Sequence, residues 1–288
     1  MISALVKNSL RPLYSKVFAL RVNISSLYTT VPSLGQKIPN VVYQTWKTPV
    51  LSLRHAWAVR RFRRMNREYS FRFFDDDQMS AYMNLRYSGH PILKIFNDIQ
   101  VPASKVDVWR YCILYREGGI YCDIDSALKT PFRELLRDDP QELISFEGSK
   151  WSEGNGFDRV TYSDPALFLP APSDGVRMKL ECPDHTVLNW LLCFEKESPI
   201  LAEVIDLIVR HADFFRGKKF ASILHAVTHF SGPHALTQAV WKSVEKTGRR
   251  PAQCGIDFCG QGVFKLPGEE NRYRDSPHYT ELPRSTIL

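Results

Sequence analysis

The stretch Ser104–Asp125 reads SKVDVWRYCILYREGGIYCDID, and its pattern decides the fold. The first half predicts an α-helix over Ser104–Tyr115, with Ser104 as its N-cap, because apolar residues return every three or four positions. The residues on this apolar stripe are Val106, Trp109 and Ile113. Gly118 and Gly119 then predict the end of the helix, since glycine readily adopts the backbone angles found at helix C-termini.

The second half of the stretch predicts a β-strand over Ile120–Asp125, apolar until its acidic end. On a regular strand Asp123 and Asp125 would point to the same face, because successive side chains alternate. Two carboxylates on one face repel each other unless a proton or a cation lies between them. Mg²⁺ or Mn²⁺, which prefer oxygen ligands, would suit this position and would leave coordination sites open for a diphosphate.

Strands and helices alternate on the N-terminal side of this stretch. The sequence predicts a strand over Lys37–Trp46, a helix over Leu53–Arg67 and a short strand over Phe71–Phe74. Asp75–Asp77 can cap a further helix that begins near Gln78. This alternation predicts an α/β fold with a largely parallel sheet, in which ligands bind at the carboxyl ends of the strands.

The predicted helix before the acidic strand carries a charged pair. Asp107 and Arg110 are three residues apart and share a helix face. An arginine there can hold a phosphate or a sugar hydroxyl, and the carboxylate can accept hydrogen bonds from hydroxyls. The alternative is a surface salt bridge of a few tenths of a kcal/mol. Asp-x-Asp alone is a short motif, and a solvated strand end is the alternative for it as well.

Taken together, these segments resemble a known family. Ser104–Asp125 resembles the signature of glycosyltransferase family 32, Ile38–Trp46 its first strand, and Phe73–Asp76 its second strand. Ser231–Thr237 is similar to a later element of the family. The resemblance implies a GT-A fold, which is Rossmann-like with a mostly parallel central sheet flanked by helices, in a single domain with a helical C-terminal part.

The resemblance also implies an activity and a set of site residues. A retaining enzyme would move a hexose from GDP-mannose or a UDP-hexose to a glycan or glycolipid acceptor, as in polysaccharide biosynthesis, with Mn²⁺ or Mg²⁺ bound. Asn189 would lie near the reacting sugar, and Trp46 would stack on the nucleobase. The implied donor-binding residues are Trp46, Asp107, Arg110, Gly119 and Asp123. The implied metal-binding residues are Asp123, Asp125 and His278.

Charge is distributed unevenly over the 288 residues, whose net charge is +7. Twelve Lys and Arg residues precede Glu68, the first acidic residue, so an anionic partner such as membrane lipid is expected. We expect an N-terminal extension over residues 1–36 that associates with a membrane, a catalytic domain over 37–266 and a tail over 267–288. Further helices are predicted over His185–Glu195, Leu201–Arg210 and Leu236–Glu245.

The cysteine spacing and the charge distribution together indicate a cellular compartment and a class of partner. Six cysteines occur without the spacing of a zinc site, so a reducing compartment is expected. We therefore expect a cytoplasmic protein that lies peripherally at a membrane and has no nucleic-acid partner.

Other functions remain open at this point. A phosphohydrolase could use Asp123 as its nucleophile, although Ala127 stands where that motif has Thr or Val. A non-enzymatic basic module could bind an anionic membrane or nucleic acid through residues 54–67. His225 and His229 have the spacing of helical metal ligands, and with His234 they are a candidate zinc site.

Overall fold

The computed structural model describes residues 21–24, 36–150, 172–220, 223–264 and 287–288. The predicted metal ligand His278 lies outside these residues. The strands are β1 (Arg21–Asn23), β2 (Val41–Thr45), β3 (Val50–Ser52), β4 (Ser70–Phe74), β5 (Gly119–Cys122), β6 (Ser126–Leu128), β7 (Glu142–Lys150), β8 (His185–Val187), β9 (Leu191–Phe194), β10 (Ala252–Ile256) and β11 (Gly262–Phe264). The helices are α1 (Leu53–Met65), α2 (Asp76–Arg86), α3 (Pro91–Asp98), α4 (Pro102–Glu117), α5 (Phe132–Leu135), α6 (Asp174–Arg177), α7 (Pro199–Phe215), α8 (Ile223–Phe230) and α9 (Pro233–Thr247).

The central sheet has the strand order β10-β7-β9-β5-β2-β4, and β8 pairs with β7. Strand β2 is parallel to both β4 and β5, and β10 is parallel to β7. Strand β9 is antiparallel to β5 and β7, so every strand on this path except β9 runs in one direction. The predicted α/β fold with a mostly parallel sheet flanked by helices is confirmed. The carboxyl ends of β2, β5 and β7 therefore meet at one edge, where ligands bind in such sheets.

Both faces of the sheet are covered, which makes the domain three layers thick. Strand β5 is buried along its whole length, and its side chains alternate between two cores. Tyr121 packs into the core that α4, α7, α8 and α9 cover. Ile120 and Cys122 pack into the core on the opposite face, which includes Phe62 from α1. A strand buried on both faces has no polar positions, which explains its continuous apolar sequence.

Several predicted elements are confirmed with small shifts of their ends. Helix α2 begins one residue after Asp75, whose side chain forms a reciprocal capping box with Gln78. Helix α4 ends at Gly118, which has a φ of 66°. Ser104 is not the N-cap of α4: the helix begins at Pro102 with Val101 as its N-cap. Proline suits the first position of a helix, where its missing N–H has no partner.

The helix predicted over His185–Glu195 is wrong. This segment forms β8 and β9 instead, and β9 pairs with β5 on one side and with β7 on the other. Its continuous apolar run is Trp190–Phe194, and a run this short does not distinguish a buried strand from part of a buried helix. The helices predicted over Leu201–Arg210 and Leu236–Glu245 are confirmed as parts of α7 and α9.

Both predicted flanks contribute residues to the fold. Strand β1, from the predicted extension, pairs antiparallel with β3, and Ile24 is fully buried beside Leu51. Ile287 and Leu288, from the predicted tail, are buried in the core beneath α4 and α7. Their carbonyl oxygens accept hydrogen bonds from Gln100 N–H at 2.8 Å and from Gly217 N–H at 3.0 Å, respectively. The domain boundaries at residues 36 and 266 stay a prediction.

Candidate active site

The Asp-x-Asp motif lies on a turn between β5 and β6 and not on a strand. Strand β5 ends at Cys122, so the prediction of a regular strand through Asp125 is wrong. Asp123 N–H donates to Trp190 O at 2.9 Å, and Ser126 N–H donates to Asp123 O at 3.0 Å. Ile124 is 2% exposed and packs into a small core. The buried Ile124 side chain anchors the turn and leaves the two carboxylates partly accessible at the edge of the sheet.

Asp123 is held in place by two buried side chains. Its Oδ1 accepts a hydrogen bond from Tyr121 Oη at 2.5 Å and lies 3.4 Å from Arg110 Nη2. Burial raises the pKa of Tyr121 well above its usual value, so the hydroxyl keeps its proton and acts as a donor. The guanidinium carbon of Arg110 lies 4.2 Å from the centre of the Tyr121 ring, a cation–π arrangement that fixes the arginine in turn.

Arg110 joins the motif to helix α4 and to Asn189. Its Nη1 donates to Asn189 O at 2.6 Å, and its Nη2 lies 3.4 Å from Asp107 Oδ1. Both charged side chains of the α4 pair are only 7% exposed. The alternative of a surface salt bridge between Asp107 and Arg110 is therefore wrong, because a buried pair of this kind is far less screened by water.

Asp107 is the most deeply buried carboxylate of the group. It accepts hydrogen bonds from Asn189 Nδ2 at 3.3 Å and from Ser231 Oγ at 3.1 Å. Burial raises the pKa of Asp107 to about 7, and Arg110 and the Ser231 hydroxyl oppose part of that rise. The structure thus brings together the predicted residues Asp107, Arg110, Asp123 and Asn189.

Two further residues belong to this group but were not predicted. Tyr121 lies two positions before Asp123, and the alternation of strand side chains was a signal that could have identified it. Ser231 lies two residues before helix α9, in a segment that carries the family resemblance, and its Oγ also lies 3.0 Å from Ser104 Oγ. Its contact with Asp107 spans 124 residues of sequence, and no local pattern indicates it.

The carboxylates fit a hard divalent cation, although they supply only part of its coordination shell. Asp125 Oδ1 lies 3.4 Å from Ser126 Oγ, next to the anchored Asp123. No group of three or more His, Cys, Asp or Glu side chains in the described parts of the chain could hold a metal ion. Mg²⁺ commonly takes one or two carboxylates and completes its shell with water and substrate phosphates. Oxygen donors at a partly open edge match that chemistry.

The three histidines considered for zinc do not form a metal site. His229 Nδ1 lies 2.9 Å from His225 O, and the rings of His229 and His234 are 4.2 Å apart. Burial lowers the pKa of His229 to about 4 and that of His234 to about 3, so both rings are neutral at physiological pH. These two histidines are instead packed ring to ring between α8 and α9.

Trp46 and Gly119 lie at opposite ends of neighbouring strands. Trp46 follows β2 at the same edge as Asp123, makes an edge contact with His55 and packs against the core that contains Ile124. Gly119 opens β5 at the other end, with a φ of 110°. A Cβ there would lie 2.8 Å from the carbonyl oxygen of Val41, so the structure gives this glycine a packing role. A donor contact of Gly119 stays a prediction.

The part of the chain that contains the acidic turn is similar to a known protein family. Residues 52–142, which include α4, β5 and the acidic turn, match the family described as "Glycosyltransferase sugar-binding region containing DXD motif". Over these residues the chain is similar to glycosyltransferases of the family-32 type. The predicted family resemblance and enzyme class are thereby confirmed, and the phosphohydrolase alternative is set aside.

Two yeast mannosyltransferases are similar to part of the chain. Inositol phosphoceramide mannosyltransferase 1 of Schizosaccharomyces pombe is 32% identical over 122 residues, which is 41% of this chain and 38% of the relative. The initiation-specific alpha-1,6-mannosyltransferase of the same yeast is 35% identical over 94 residues, 31% of this chain and 23% of the relative. The chain thus spans well under half of the length of either relative.

One solved structure also resembles the chain. PaToxG Glycosyltransferase superposes with a TM-score of 0.47 at 16% identity, over 83% of this chain and 78% of that one.

Proposed function

We propose that the domain transfers a hexose, with mannose as the first candidate, from a nucleotide diphosphate sugar to a glycan or glycolipid acceptor, with retention of configuration and with a bound divalent metal. The observation that carries this proposal is the anchored Asp123, which Tyr121 and Arg110 hold at the carboxyl edge of the sheet beside Asp125. The relatives' names support mannose as the sugar and an inositol phosphoceramide or a glycan as the type of acceptor.

We assign the site residues two roles according to their chemistry, metal binding and orientation of the donor sugar. Asp123 and Asp125 would hold the metal, which, when bound, neutralises the charge that develops on the leaving diphosphate. Asp107, Arg110 and Asn189 present donors and acceptors deeper in the site, where they can orient the hydroxyls of the donor sugar.

Two further predicted roles concern the nucleobase of the donor and the reacting carbon of its sugar. Trp46, at the same edge, offers an aromatic face for the nucleobase. Asn189 would lie near the reacting carbon, and no side chain is assigned as a nucleophile.

Thermal-shift screening of nucleotide sugars, with and without Mn²⁺, tests the donor. A ligand at one hundred times its dissociation constant stabilises the folded state by about 2.7 kcal/mol. We expect GDP-mannose to raise the melting temperature by several degrees when the metal is present and not when it is absent. Asp125→Asn should abolish the metal-dependent shift, and Asp138→Asn, which removes a carboxylate that is 87% exposed, should keep it. The absence of a shift with every nucleotide sugar would rule out the proposed donor class.

We also propose that helix α1 contacts an anionic membrane surface. Trp57 is 62% exposed, and Arg61 lies over its ring at 6.0 Å. Leu53, Arg60 and Arg64 are also exposed, and they follow the spacing of one helix face together with Trp57 and Arg61. Basic residues near an anionic bilayer contribute about 1 kcal/mol each, and an exposed Trp suits its interfacial region. None of the described helices is long and apolar enough to cross a bilayer.

Liposome sedimentation tests this membrane-contacting face, defined by Leu53, Trp57, Arg60, Arg61 and Arg64. We expect binding to vesicles that contain phosphatidylserine, and a loss of binding when Arg60, Arg61 and Arg64 are changed to Glu. Arg137→Glu changes another exposed arginine elsewhere and serves as the control. Equal binding by both variants would contradict the proposal, as would retention by RNA and not by vesicles. A cytoplasmic location stays a prediction.

A further inference from the structure

Two cysteines near the active site lie in contact with each other. Cys254 is on β10 and Cys259 is on the turn Asp257–Gly260, and their sulfur atoms are 3.5 Å apart as free thiols. Cys259 is exposed, and Cys254 is partly exposed. A disulfide has an S–S distance of about 2.05 Å, so the sulfurs would need to approach by about 1.5 Å.

The backbone of this turn holds the two thiols together. Asp257, Phe258 and Cys259 have φ values of 48°, 52° and 56°, which side-chain-bearing residues rarely adopt, so we call this segment the left-handed turn. Gly255 permits the contact, because a Cβ at this position would lie 3.3 Å from Cys259 Sγ. Strain of this kind persists only where the surrounding structure maintains it, and it concentrates at functional sites.

The surrounding structure that maintains the left-handed turn is strand β7 and Trp190. Phe258 N–H donates to Ser145 Oγ at 2.7 Å, and that hydroxyl lies 3.0 Å from Gly255 O. The Phe258 side chain is fully buried and packs edge-on against Trp190, with 5.6 Å between ring centres. Trp190 O accepts the N–H of Asp123 at 2.9 Å. The left-handed turn that carries Cys259 is therefore connected to the Asp-x-Asp turn through two residues in contact, Phe258 and Trp190.

We propose that Cys254 and Cys259 form a reactive dithiol site that closes to an intramolecular disulfide by exchange with small disulfides such as oxidised glutathione. The exposed Cys259 thiolate attacks one sulfur of oxidised glutathione, forms a mixed disulfide and releases one glutathione thiolate. Cys254 then loses its proton to solvent and attacks Cys259 Sγ, which releases the second thiolate. The protein loses two electrons and two protons, and one oxidised glutathione becomes two reduced glutathione molecules.

The spacing of the two thiols is consistent with this order of events. The exposed sulfur meets a solvent disulfide first, and the second thiol is already in contact with it. Burial raises the pKa of Cys254 to about 12, so Cys254 is the slower nucleophile and the resolving residue.

Peptide mapping after incubation in glutathione redox buffers tests the dithiol. No Lys or Arg lies between residues 251 and 264, so trypsin leaves both cysteines in one peptide. We expect this peptide from the wild-type protein to lose two hydrogens and to resist alkylation, reversibly on reduction. Cys254→Ser should retain one glutathione on Cys259, and Cys182→Ser, which removes a nearby thiol, should behave as the wild type. An unmodified wild-type peptide, or a disulfide that involves Cys182, would overturn the proposal without requiring any variant to fold.

The consequence for the donor site rests on the proposed function. Closing the disulfide moves the left-handed turn and, through Phe258 and Trp190, shifts the carbonyl that holds Asp123. We expect oxidised wild-type protein to bind the donor several-fold more weakly than reduced protein, and Cys254→Ser to show no such difference. Unchanged donor affinity in fully oxidised protein would refute this link, whereas the mass measurement tests the dithiol independently of any donor.

Discussion

Replacing Tyr121 by Phe isolates the hydrogen bond that holds the Asp-x-Asp motif in place. The variant keeps the buried ring beneath Arg110 and removes only the hydroxyl that donates to Asp123 Oδ1 at 2.5 Å. A hydrogen bond to a charged group contributes about 1.5–3 kcal/mol. With about 1.36 kcal/mol for each factor of ten, the loss is on the order of 10- to 150-fold if the bond acts fully in the transition state.

We expect the variant to change the metal dependence of the transfer reaction as well as its rate. Without the hydroxyl, Asp123 keeps the longer Arg110 contact of 3.4 Å and can rotate away from the position in which it would share a cation with Asp125. We therefore expect a higher Mn²⁺ concentration at half-maximal activity, together with a lower kcat/KM for the donor. Steady-state transfer assays over a Mn²⁺ series measure both quantities.

Tyr87→Phe is the matched control for this variant. Tyr87 is also buried, and its hydroxyl donates to Cys112 O at 2.7 Å, away from the acidic turn. Both variants lose one buried hydrogen bond, so both should lose stability in urea denaturation, by about 1 kcal/mol for the neutral bond of Tyr87 and by about 1.5–3 kcal/mol for the bond of Tyr121 to a charged group. Only Tyr121→Phe should change the Mn²⁺ dependence. An identical metal dependence in Tyr121→Phe and Tyr87→Phe would refute the inference that Tyr121 positions a metal ligand.

Three other variants test the buried charges. Because burial raises the pKa of Asp107 from 3.8 to about 7, the folded state binds more protons between these values, and the stability this provides is lost as the pH rises through 7. Urea denaturation from about pH 4 to 8 should show a free energy of unfolding that falls up to about pH 7 for the wild type, with a weaker fall for Asp107→Asn. Arg63→Ala removes a buried side chain that donates to Gln44 Oε1 at 3.0 and 3.2 Å and should cost about 2–3 kcal/mol, whereas Arg61→Ala on the exposed face should cost less than about 0.5 kcal/mol. Arg110→Lys keeps the charge but loses the planar fork that spans three partners, so we expect donor binding to fall by at least tenfold in titration calorimetry, and wild-type affinity would contradict the assigned role.

Much of the fold follows from patterns that are local in sequence. The capping box of Asp75 and Gln78, the helix end at Gly118 and the strand at Phe71–Phe74 depend on residues within a few positions of each other. The short acidic motif and the Asp107–Arg110 pair were also evident, because residues at strand or helix spacing share a face. These features predicted the α/β class and pointed to Asp107, Arg110 and Asp123, which the structure brings together.

The sequence by itself determined which residues carry charge and where elements such as α2, α4 and β4 lie, since backbone hydrogen bonds, caps and side-chain periodicity act over short distances. Only the tertiary structure decided that Leu191–Phe194 is a strand, because its hydrogen-bonding partners lie on β5 and β7. Only the tertiary structure placed Ser231 on Asp107 and ended β5 before Asp123, because burial and long-range pairing join parts of the chain that lie far apart in sequence.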